Sequence, residues 1–501
     1  MRALDEPPPG IPAADWAAAP LSVRMVVGAL EQQVVGLTAQ VQSLSARVAA
    51  LEEQVRQSSR NSSRPPSSDP PGAPPRPQRE SSGKRPGGQP GHPGRGRHLL
   101  AVEQVNAVVE ARPRTCAGCG QVLVGDDPTP ARHQVADLPR VRAVVTEYRR
   151  HTLCCPACGE RTAAAWPEGM PAGCFGPRAQ ATVGYLTGRL NVSQREVAEV
   201  LGVLFGLDLS LGSVSALARQ VSAAVAAPVA EARAYVQAQP AVNADETNWP
   251  QGRQGGWLWV AVSALVSVFL VRPSRASAVA KELLGATYTG IVGSDRYGGY
   301  AWVDTAHRQL CWAHLRRDFT AFGERGGESA RLGQALLAAS DELFALWYRV
   351  RDGTLDRAAF AQAALPLRAQ VGTLLRAGQA LTHAKTGGTC DHVVALEPAL
   401  WTFVTHEGVE PTNNAAERAL RRAVLWRRRS FGTQSDAGSR FVERLLTVAT
   451  TLRQQGRDVL DYLTAACQAA MAGAPAPSLL PLTQPLPLVA LPAHPLTAPA
   501  A

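Results

Sequence analysis

Three acidic side chains are placed where they could hold metal ions. Asp245 lies in the β-rich stretch "VNADETNW", Asp295 follows a short apolar run in "GIVGSDRYGGY", and Glu417 lies in "EPTNNAAERALRR". A carboxylate on a buried strand is costly unless an opposite charge compensates it. Carboxylates are ligands that Mg²⁺ prefers, and such a site can hold two ions for phosphodiester chemistry. We therefore take Asp245, Asp295 and Glu417 as candidate catalytic residues and as candidate ligands of two Mg²⁺ (or Mn²⁺) ions.

Each acid also has a purely structural interpretation. Asp295 beside glycines could serve only as a turn residue. Asn414 and Glu417, three residues apart, resemble a helix capping box, in which Glu417 would close a helix N-terminus. The helix dipole favours an anion in a first turn, so capping and metal binding do not exclude each other. Glu246 neighbours Asp245, but strand alternation points it to the other face.

A cluster of arginines follows Glu417. Six arginines fall within twelve residues with no further acid, at positions 418, 421, 422, 427, 428 and 429. The chain carries a net charge of +10 and a pI near 9.4, which favours an anionic partner such as nucleic acid. A solvated charged face is the alternative. The candidate DNA-binding residues are Arg418, Arg421, Arg422 and Arg428, together with Arg316 and Arg317 of "CWAHLRRDF".

Two cysteine pairs have the spacing of zinc knuckles. They are Cys116 with Cys119 and Cys155 with Cys158, and a glycine follows each pair. Four thiolates can bind one structural Zn²⁺ tetrahedrally. Cys154 could replace Cys155, but the symmetry of the two pairs favours Cys155.

A second, weaker metal pattern lies between the acids. His307, Cys311 and His314 could suggest a further site, but isolated histidines and cysteines often pack in cores. We expect His314, Arg316 and Arg317 to support the active site or contact DNA.

The segments that must position these residues differ in periodicity. Leucines recur every seven residues from Leu30 to Leu51, and valines from Val27 to Val55 interleave with them. Valine at a and leucine at d favour a parallel two-stranded coiled coil. Residues 58–98 break all periodicity and carry eight Lys/Arg against two acids, which predicts a disordered basic linker that could bind phosphates without reading sequence.

A helical region and then strands follow. Two predicted helices with a break near Gly206 to Leu209 resemble a helix-turn-helix, with Ser193 and Ser210 as N-caps. Strands are expected at Ala241–Thr247, Trp257–Val262, Val266–Val271 and Gly290–Ser294, with a helix around Ala276–Leu284 before the last. Three strands, a helix and a strand are the beginning of a ribonuclease-H-like α/β fold. There the first and fourth strands are neighbours, so Asp245 and Asp295 would face each other.

The motifs together resemble the transposases of the bacterial insertion-sequence-sixty-six family. The matching pieces are the coiled coil, "NSSRPPSSD", "GGQPGHPG", the cysteine pairs, "DET", "SDRYGGY", "CWAHLRRDF" and "NNAAERALR", in the family's order. The resemblance implies a DDE triad at Asp245, Asp295 and Glu417. It covers about residues 25 to 470, and the Pro/Leu-rich C-terminal tail has no match.

The expected organisation is multidomain α/β. It comprises an N-terminal tail (1–20), a coiled coil (21–57), the basic linker (58–98), a zinc-binding domain (99–170), a helix-turn-helix-like DNA-binding region (176–238), a ribonuclease-H-like catalytic domain (240–440) with a helical insertion at about 328–405, C-terminal helices (441–472) and a disordered tail (473–501).

The resulting hypothesis is a DNA transposase that cuts element ends and joins them to target DNA. A non-catalytic zinc-finger DNA-binding protein, an inactive transposase relic, and a nuclease or resolvase on the same fold are the alternatives. Expected partners are double-stranded DNA (terminal inverted repeats and target), a second copy through the coiled coil, and small accessory proteins of the same element. The longest apolar run, Trp257 to Val271, is too short for a membrane span. We expect no membrane association and a cytoplasmic, nucleoid-associated protein.

Overall fold

The computed structural model describes residues 6–58, 60–62, 98–168 and 170–481. The chain forms two compact units. The larger comprises Met1–Ala73, Ala165–Val197 and Leu211–Ala501, and the smaller comprises Pro74–Ala164 and Ala198–Ser210. Most of the predicted basic linker at 58–98 and the predicted tail from residue 482 onward lie outside the described residues.

The N-terminal segment is helical. Helix α1 spans Ala13–Ala18 and helix α2 spans Leu21–Arg56, a run of 36 residues. The leucines and valines of the heptad stripe are exposed along most of α2, with Leu37 and Leu44 each 60% exposed. The described part of the chain therefore leaves this apolar stripe uncovered.

The smaller unit contains the two cysteine pairs in matching turns. Gly120 N donates to Cys116 O at 2.9 Å, and Gly159 N donates to Cys155 O at 2.9 Å. Both glycines have left-handed φ, +76° and +75°, which glycine adopts without steric cost. Antiparallel strands β1 (Thr152–Cys154) and β2 (Arg161–Ala163) flank the second turn. The two pairs therefore fold alike although they are far apart in sequence.

Four helices precede the main sheet. They are α3 (Pro177–Gly184), which continues as a π-helical turn over Tyr185–Arg189, α4 (Gln194–Phe205), α5 (Leu211–Ala224) and α6 (Ala226–Gln237). Ser193 caps α4 in a capping box: Glu196 N donates to Ser193 Oγ at 3.3 Å, and Ser193 N donates to Glu196 Oε2 at 2.8 Å. The predicted break after α4 is present. Helix α5 buries its apolar face and packs against α3.

A five-stranded mixed sheet forms the centre of the larger unit. Its strands are β3 (Ala241–Asn248), β4 (Trp257–Val262), β5 (Ser267–Arg272), β6 (Ile291–Ser294) and β7 (Arg308–Leu310), in the order β5-β4-β3-β6-β7. Strands β4 and β5 form an antiparallel hairpin made from the apolar run, whereas β6 runs parallel to both β3 and β7. The first and fourth predicted strands are thus neighbours, as expected.

Helices cover the sheet and extend beyond it. Helix α7 (Ser277–Leu284) links β5 to β6, and α8 (Trp312–Glu324) follows β7. The predicted helical insertion consists of α9 (Gly327–Arg351), α10 (Arg357–Gln379), α11 (Ala384–Ala395) and the short α12 (Thr402–Thr405). Its core is aromatic and includes Trp347, Phe360 and Phe403. Helices α13 (Asn414–Ser430), α14 (Asp436–Gln454) and α15 (Val459–Met471) complete the unit.

Helix α14 closes the free edge of β5 with side chains. Glu443, Thr447 and Thr451, spaced four residues apart, lie on one face of α14. Val271 N donates to Glu443 Oε1 at 2.7 Å, Phe269 N to Thr447 Oγ1 at 3.0 Å, and Ser267 N to Thr451 Oγ1 at 3.1 Å. The outward backbone donors of the edge strand are therefore satisfied by a helix.

The beginning of the predicted disordered tail is packed. Leu479 is fully buried. Tyr462 Oη donates to Pro477 O at 2.7 Å, and Gln455 Nε2 donates to Leu479 O at 2.9 Å. The expected disorder from residue 473 is thus wrong for residues 474–481, because apolar burial and side-chain bonds to their carbonyls hold them on α14 and α15.

Candidate active site

Two of the predicted acids lie in, or directly after, adjacent parallel strands. Asp245 is in β3, and Asp295 is the first residue after β6. The register pairs Asn243 with Gly293, and continuing it by two residues brings Asp245 opposite Asp295. Neighbouring strands lie about 4.8 Å apart. The sheet therefore brings these two carboxylates together.

The third acid approaches on α13. This helix packs on β3 and β4 through a buried face of alanines, Leu420 and Trp426, and Glu417 lies in its first turn. The N-cap is Asn413, and its side chain makes no capping bond. Glu417 Oε1 is buried without a hydrogen-bond partner. The capping interpretation of Asn414 and Glu417 is therefore wrong, because the helix begins one residue earlier than that motif requires.

Asp245 lies where both burial and neighbouring acids disfavour its charge. Burial raises the pKa of Asp245 well above its ordinary value, and the charges of Glu246, Asp295 and Glu417 raise it further. Asp245 Oδ1 accepts a bond from Glu246 N at 2.8 Å, which opposes this rise in pKa only in part. The carboxylates thus destabilise one another's charge.

Glu246 belongs to a separate ion pair, as strand alternation predicts. Its buried carboxylate lies 2.6 Å from Arg275 and accepts a bond from Tyr300 Oη at 2.8 Å. Arg275 in turn stacks on the Tyr297 ring, 3.7 Å from its centroid. Because its charge is already paired, Glu246 is a structural residue of the opposite face.

His314 and Cys311 lie beside Glu417. Ligand atoms of Cys311, His314 and Glu417 fall within 4.8 Å of one another, the one such triple among the described residues. His307 is exposed and outside this cluster. Burial raises the pKa of Cys311 to about 12, whereas burial and then Arg317 lower the pKa of His314. A neutral thiol and a neutral imidazole therefore face the carboxylate.

The predicted DNA-binding arginines fall into two groups. Arg418, Arg421 and Arg428 are exposed on α13. The other three make internal contacts: Arg316 pairs with Asp341 at 2.7 Å, Arg317 lies 3.9 Å from Glu417, and Arg422 donates to Arg189 O. Arg427 likewise binds Thr247 Oγ1 at 3.0 Å.

The cysteine pairs are preorganised separately. Backbone amides aimed at the sulfur lower the pKa of Cys116 and of Cys155. Cys154 Sγ instead donates to Gly159 O at 3.2 Å, which favours Cys155 over Cys154 as a ligand. Among the described residues no three of these sulfurs lie within 4.8 Å of one another, so the structure does not bring the two pairs together.

Asn413 is a buried residue of this site that the sequence did not single out. It is 1% exposed, its backbone N donates to Cys311 Sγ at 3.4 Å, and both polar atoms of its side chain lack a partner in the described chain. The only signal in the sequence is the pair Asn413-Asn414, and the capping-box pattern assigns the second asparagine as the N-cap.

A mixed sheet covered by helices is consistent with a transposase domain. Residues 173–440 match the model of a family described as "Transposase IS66 family", and residues 14–98 match a "Family of unknown function (DUF6444)". The chain therefore belongs to the IS66 transposase family, which implies a DNA-processing enzyme.

Two curated relatives extend this similarity over much of the chain. Both are from Sinorhizobium fredii (strain NBRC 101917 / NGR234). Uncharacterized protein y4qI is 25% identical over 421 residues, covering 72% of each chain. Uncharacterized protein y4hP is 27% identical over 404 residues, covering 72% of this chain and 71% of the relative. No helix in the described ranges is both long and apolar enough to cross a membrane.

Proposed function

We propose that this chain is a DDE transposase that cleaves the ends of an insertion sequence and transfers them to target DNA. Asp245, Asp295 and Glu417 are the proposed triad. The observation that carries the proposal is geometric: the β3–β6 register places Asp245 opposite Asp295, and α13, with Glu417 in its first turn, packs on β3. Three acids from β3, β6 and α13 that act on one another electrostatically form a single anionic centre.

The strand order supports a ribonuclease-H-like domain. Counted within the main sheet alone, the order β5-β4-β3-β6-β7 is third, second, first, fourth, fifth. The first three strands are antiparallel neighbours, and the fourth and fifth are added in parallel. In this order the first and fourth strands, which carry or precede Asp245 and Asp295, are neighbours.

The residues present fit a divalent cation. Carboxylates that raise one another's pKa are stabilised as anions when a cation lies between them. Glu417 Oε1 is buried, and the nearest basic groups, on His314 and Arg317, lie 3.7 Å and 3.9 Å away. Two Mg²⁺ (or Mn²⁺) ions bound there would supply activation of a water or 3′-hydroxyl and stabilisation of the leaving oxygen.

The protein's own contribution is orientation. The sheet register sets the spacing of Asp245 and Asp295, and the buried face of α13 fixes where Glu417 enters. Arg317 and neutral His314 lie 3.9 Å and 3.7 Å from Glu417 Oε1 without forming a short salt bridge. Exposed Arg418, Arg421 and Arg428 can contact DNA phosphates along α13.

Two further parts of the proposal lie outside the catalytic domain. We assign self-association to the exposed stripe of α2, because pairing two DNA ends needs at least two copies. We assign one structural Zn²⁺ to Cys116, Cys119, Cys155 and Cys158, which requires the two preorganised pairs to close around the ion.

The function is tested with the full-length protein and a labelled duplex that carries the element's terminal inverted repeat. Strand cleavage and joining should require Mg²⁺ or Mn²⁺ and stop when EDTA is added. Binding of the duplex without any metal-dependent cleavage would instead identify a non-catalytic DNA-binding protein.

A further inference from the structure

An arginine-lined pocket lies beside α13, away from the triad. It has a volume of about 340 Å³ and is bounded by α13, the C-terminal half of α14, the π-helical turn and the β4–β5 hairpin. Four guanidinium groups line it, from Arg189, Arg418, Arg422 and Arg453, and no acidic residue does. Ser267 and Gln454 add neutral polar groups.

The positive charges in this pocket lack counter-charges. None of the four arginines has an ion pair in the part of the chain that the structure describes; Arg422 donates only to the Arg189 carbonyl. Burial lowers the pKa of Arg189, and the charges of Arg422 and Arg453 lower it further. Burial and Arg453 lower the pKa of Arg422 in the same way. Like charges gathered in a half-buried site destabilise the fold unless an anion compensates them.

The pocket and the triad lie on opposite flanks of α13. Ala415, Arg418 and Arg422 follow the helical repeat along the pocket side of α13. Successive residues of a helix are rotated by about 100°, so Glu417, one residue before Arg418, points away from that side. A helix with its side chains is about 10 Å across. An anion in the pocket is therefore not the reacting phosphate. One DNA strand spans that distance in about three nucleotide steps.

We propose that this pocket binds a phosphate group, supplied by the DNA backbone a few nucleotides from the reacting phosphodiester. This inference rests on the proposed transposase function for the source of the phosphate. Guanidinium forks bind phosphate oxygens bidentately, and three separate chain segments converge to present four of them. A phosphate held there would fix the register of the DNA strand relative to Asp245, Asp295 and Glu417.

The test measures DNA binding without catalysis. Arg189→Gln combined with Arg453→Gln removes two charges from the pocket. The matched control combines Arg331→Gln with Arg368→Gln, which removes two charges from exposed sites on α9 and α10. Fluorescence anisotropy with a short duplex of arbitrary sequence, in EDTA and a series of KCl concentrations, gives the salt dependence of the binding constant. Arg453→Gln alone, at an exposed position, is included in case the double variant does not fold.

The expected result is a loss of about one unit from the slope of log K against log [KCl] in the pocket variants, since each phosphate contact contributes about 0.9. The control should keep the wild-type slope. Equal slopes for the pocket variant and the control would contradict the proposal that the bound phosphate belongs to the DNA backbone. Because no cleavage is measured, this outcome is independent of whether the triad is catalytic.

A second arm separates DNA from free phosphate. Inorganic pyrophosphate should raise the melting temperature of the wild type and the control more than that of the pocket variants, because it binds the folded state. If pyrophosphate has this effect while the DNA slopes are equal, the pocket binds a free phosphate compound and the DNA source is wrong. If neither measurement distinguishes pocket variant from control, the pocket is not a phosphate site.

Discussion

Glu417 and His314 face each other at 3.7 Å, Oε1 to Nε2, with no hydrogen bond between them. The second imidazole nitrogen, Nδ1, is also buried without a partner in the described chain. A helix cap would have used the carboxylate to bind backbone amides. Here the carboxylate oxygen is left with only weak contacts to His314 and Arg317, which is consistent with a ligand and not with a cap.

Glu417→Gln should abolish catalysis and leave the fold intact. Glutamine has the same shape, and no hydrogen bond of Oε1 is lost. Removing one negative charge also relieves repulsion with Asp245, so the melting temperature without metal should equal or exceed that of the wild type. Mg²⁺-dependent cleavage should fall by more than about 100-fold. Mutation of a residue that only supports a metal ligand already lowers metal affinity or activity by about 10- to 100-fold.

The matched control for this variant is Glu407→Gln, an exposed acid in the loop before α13. It should keep both cleavage and stability. Near-normal cleavage by Glu417→Gln, or a marked loss of its stability, would remove Glu417 from the proposed triad.

Thr447→Val should destabilise the larger unit. Valine has the shape of threonine but cannot accept the bond from Phe269 N, which measures 3.0 Å in the structure. A buried donor left without a partner costs about 1–3 kcal/mol. Chemical denaturation should show this loss, whereas Thr373→Val, at an exposed position of α10, should change the free energy of unfolding far less. Equal effects would contradict the importance of the edge contacts.

The stripe on α2 should hold two or more copies together. Leu37→Lys with Leu44→Lys places charges at two d positions, where a coiled coil buries its side chains, and light scattering should report the monomer mass. The control is Ala39→Lys with Gln42→Lys, which adds the same charge on the opposite face and should leave the oligomer unchanged. An unchanged mass for the leucine variant would exclude this route of self-association.

Zinc binding should depend on the paired cysteines. Metal analysis of the purified protein should give about one zinc per chain. Cys119→Ser should lose it, with unfolding restricted to the region near residues 100–165, since binding and folding of such modules are coupled. Cys174→Ser, an exposed cysteine outside both pairs, should retain the metal. Zinc retention by Cys119→Ser would contradict the assignment.

Much of the larger unit was predictable because its signals are local. The apolar run from Trp257 to Val271 predicted the β4–β5 hairpin, and β-rich stretches predicted β3 and β6 nearly to the residue. The succession of three strands, a helix and a strand predicted that the first and fourth strands are neighbours, and therefore that Asp245 and Asp295 are adjacent. The cap at Ser193 was likewise readable from its own turn.

What escaped prediction depends on contacts between distant segments. Arg189 and Arg453 lie in helices with no unusual local pattern, and only the folded chain places them near Arg422. The packing of Leu479 similarly depends on α14 and α15. The role of Thr447 had one available signal, the four-residue spacing of Glu443, Thr447 and Thr451 on the mostly apolar buried face of α14. That spacing can be interpreted only once the sheet edge beside it is known.

The edge contacts also bear on how copies of this protein meet. An exposed sheet edge can pair with an edge of another molecule and lead to aggregation. The β5 edge is occupied by α14, and at β7 the insertion reaches the opposite edge, where Thr402 Oγ1 binds Arg308 O at 2.5 Å and Phe403 N binds the Gln309 side chain at 2.8 Å. Both edges are thus occupied by helical segments of the same chain, which disfavours strand-to-strand association between copies.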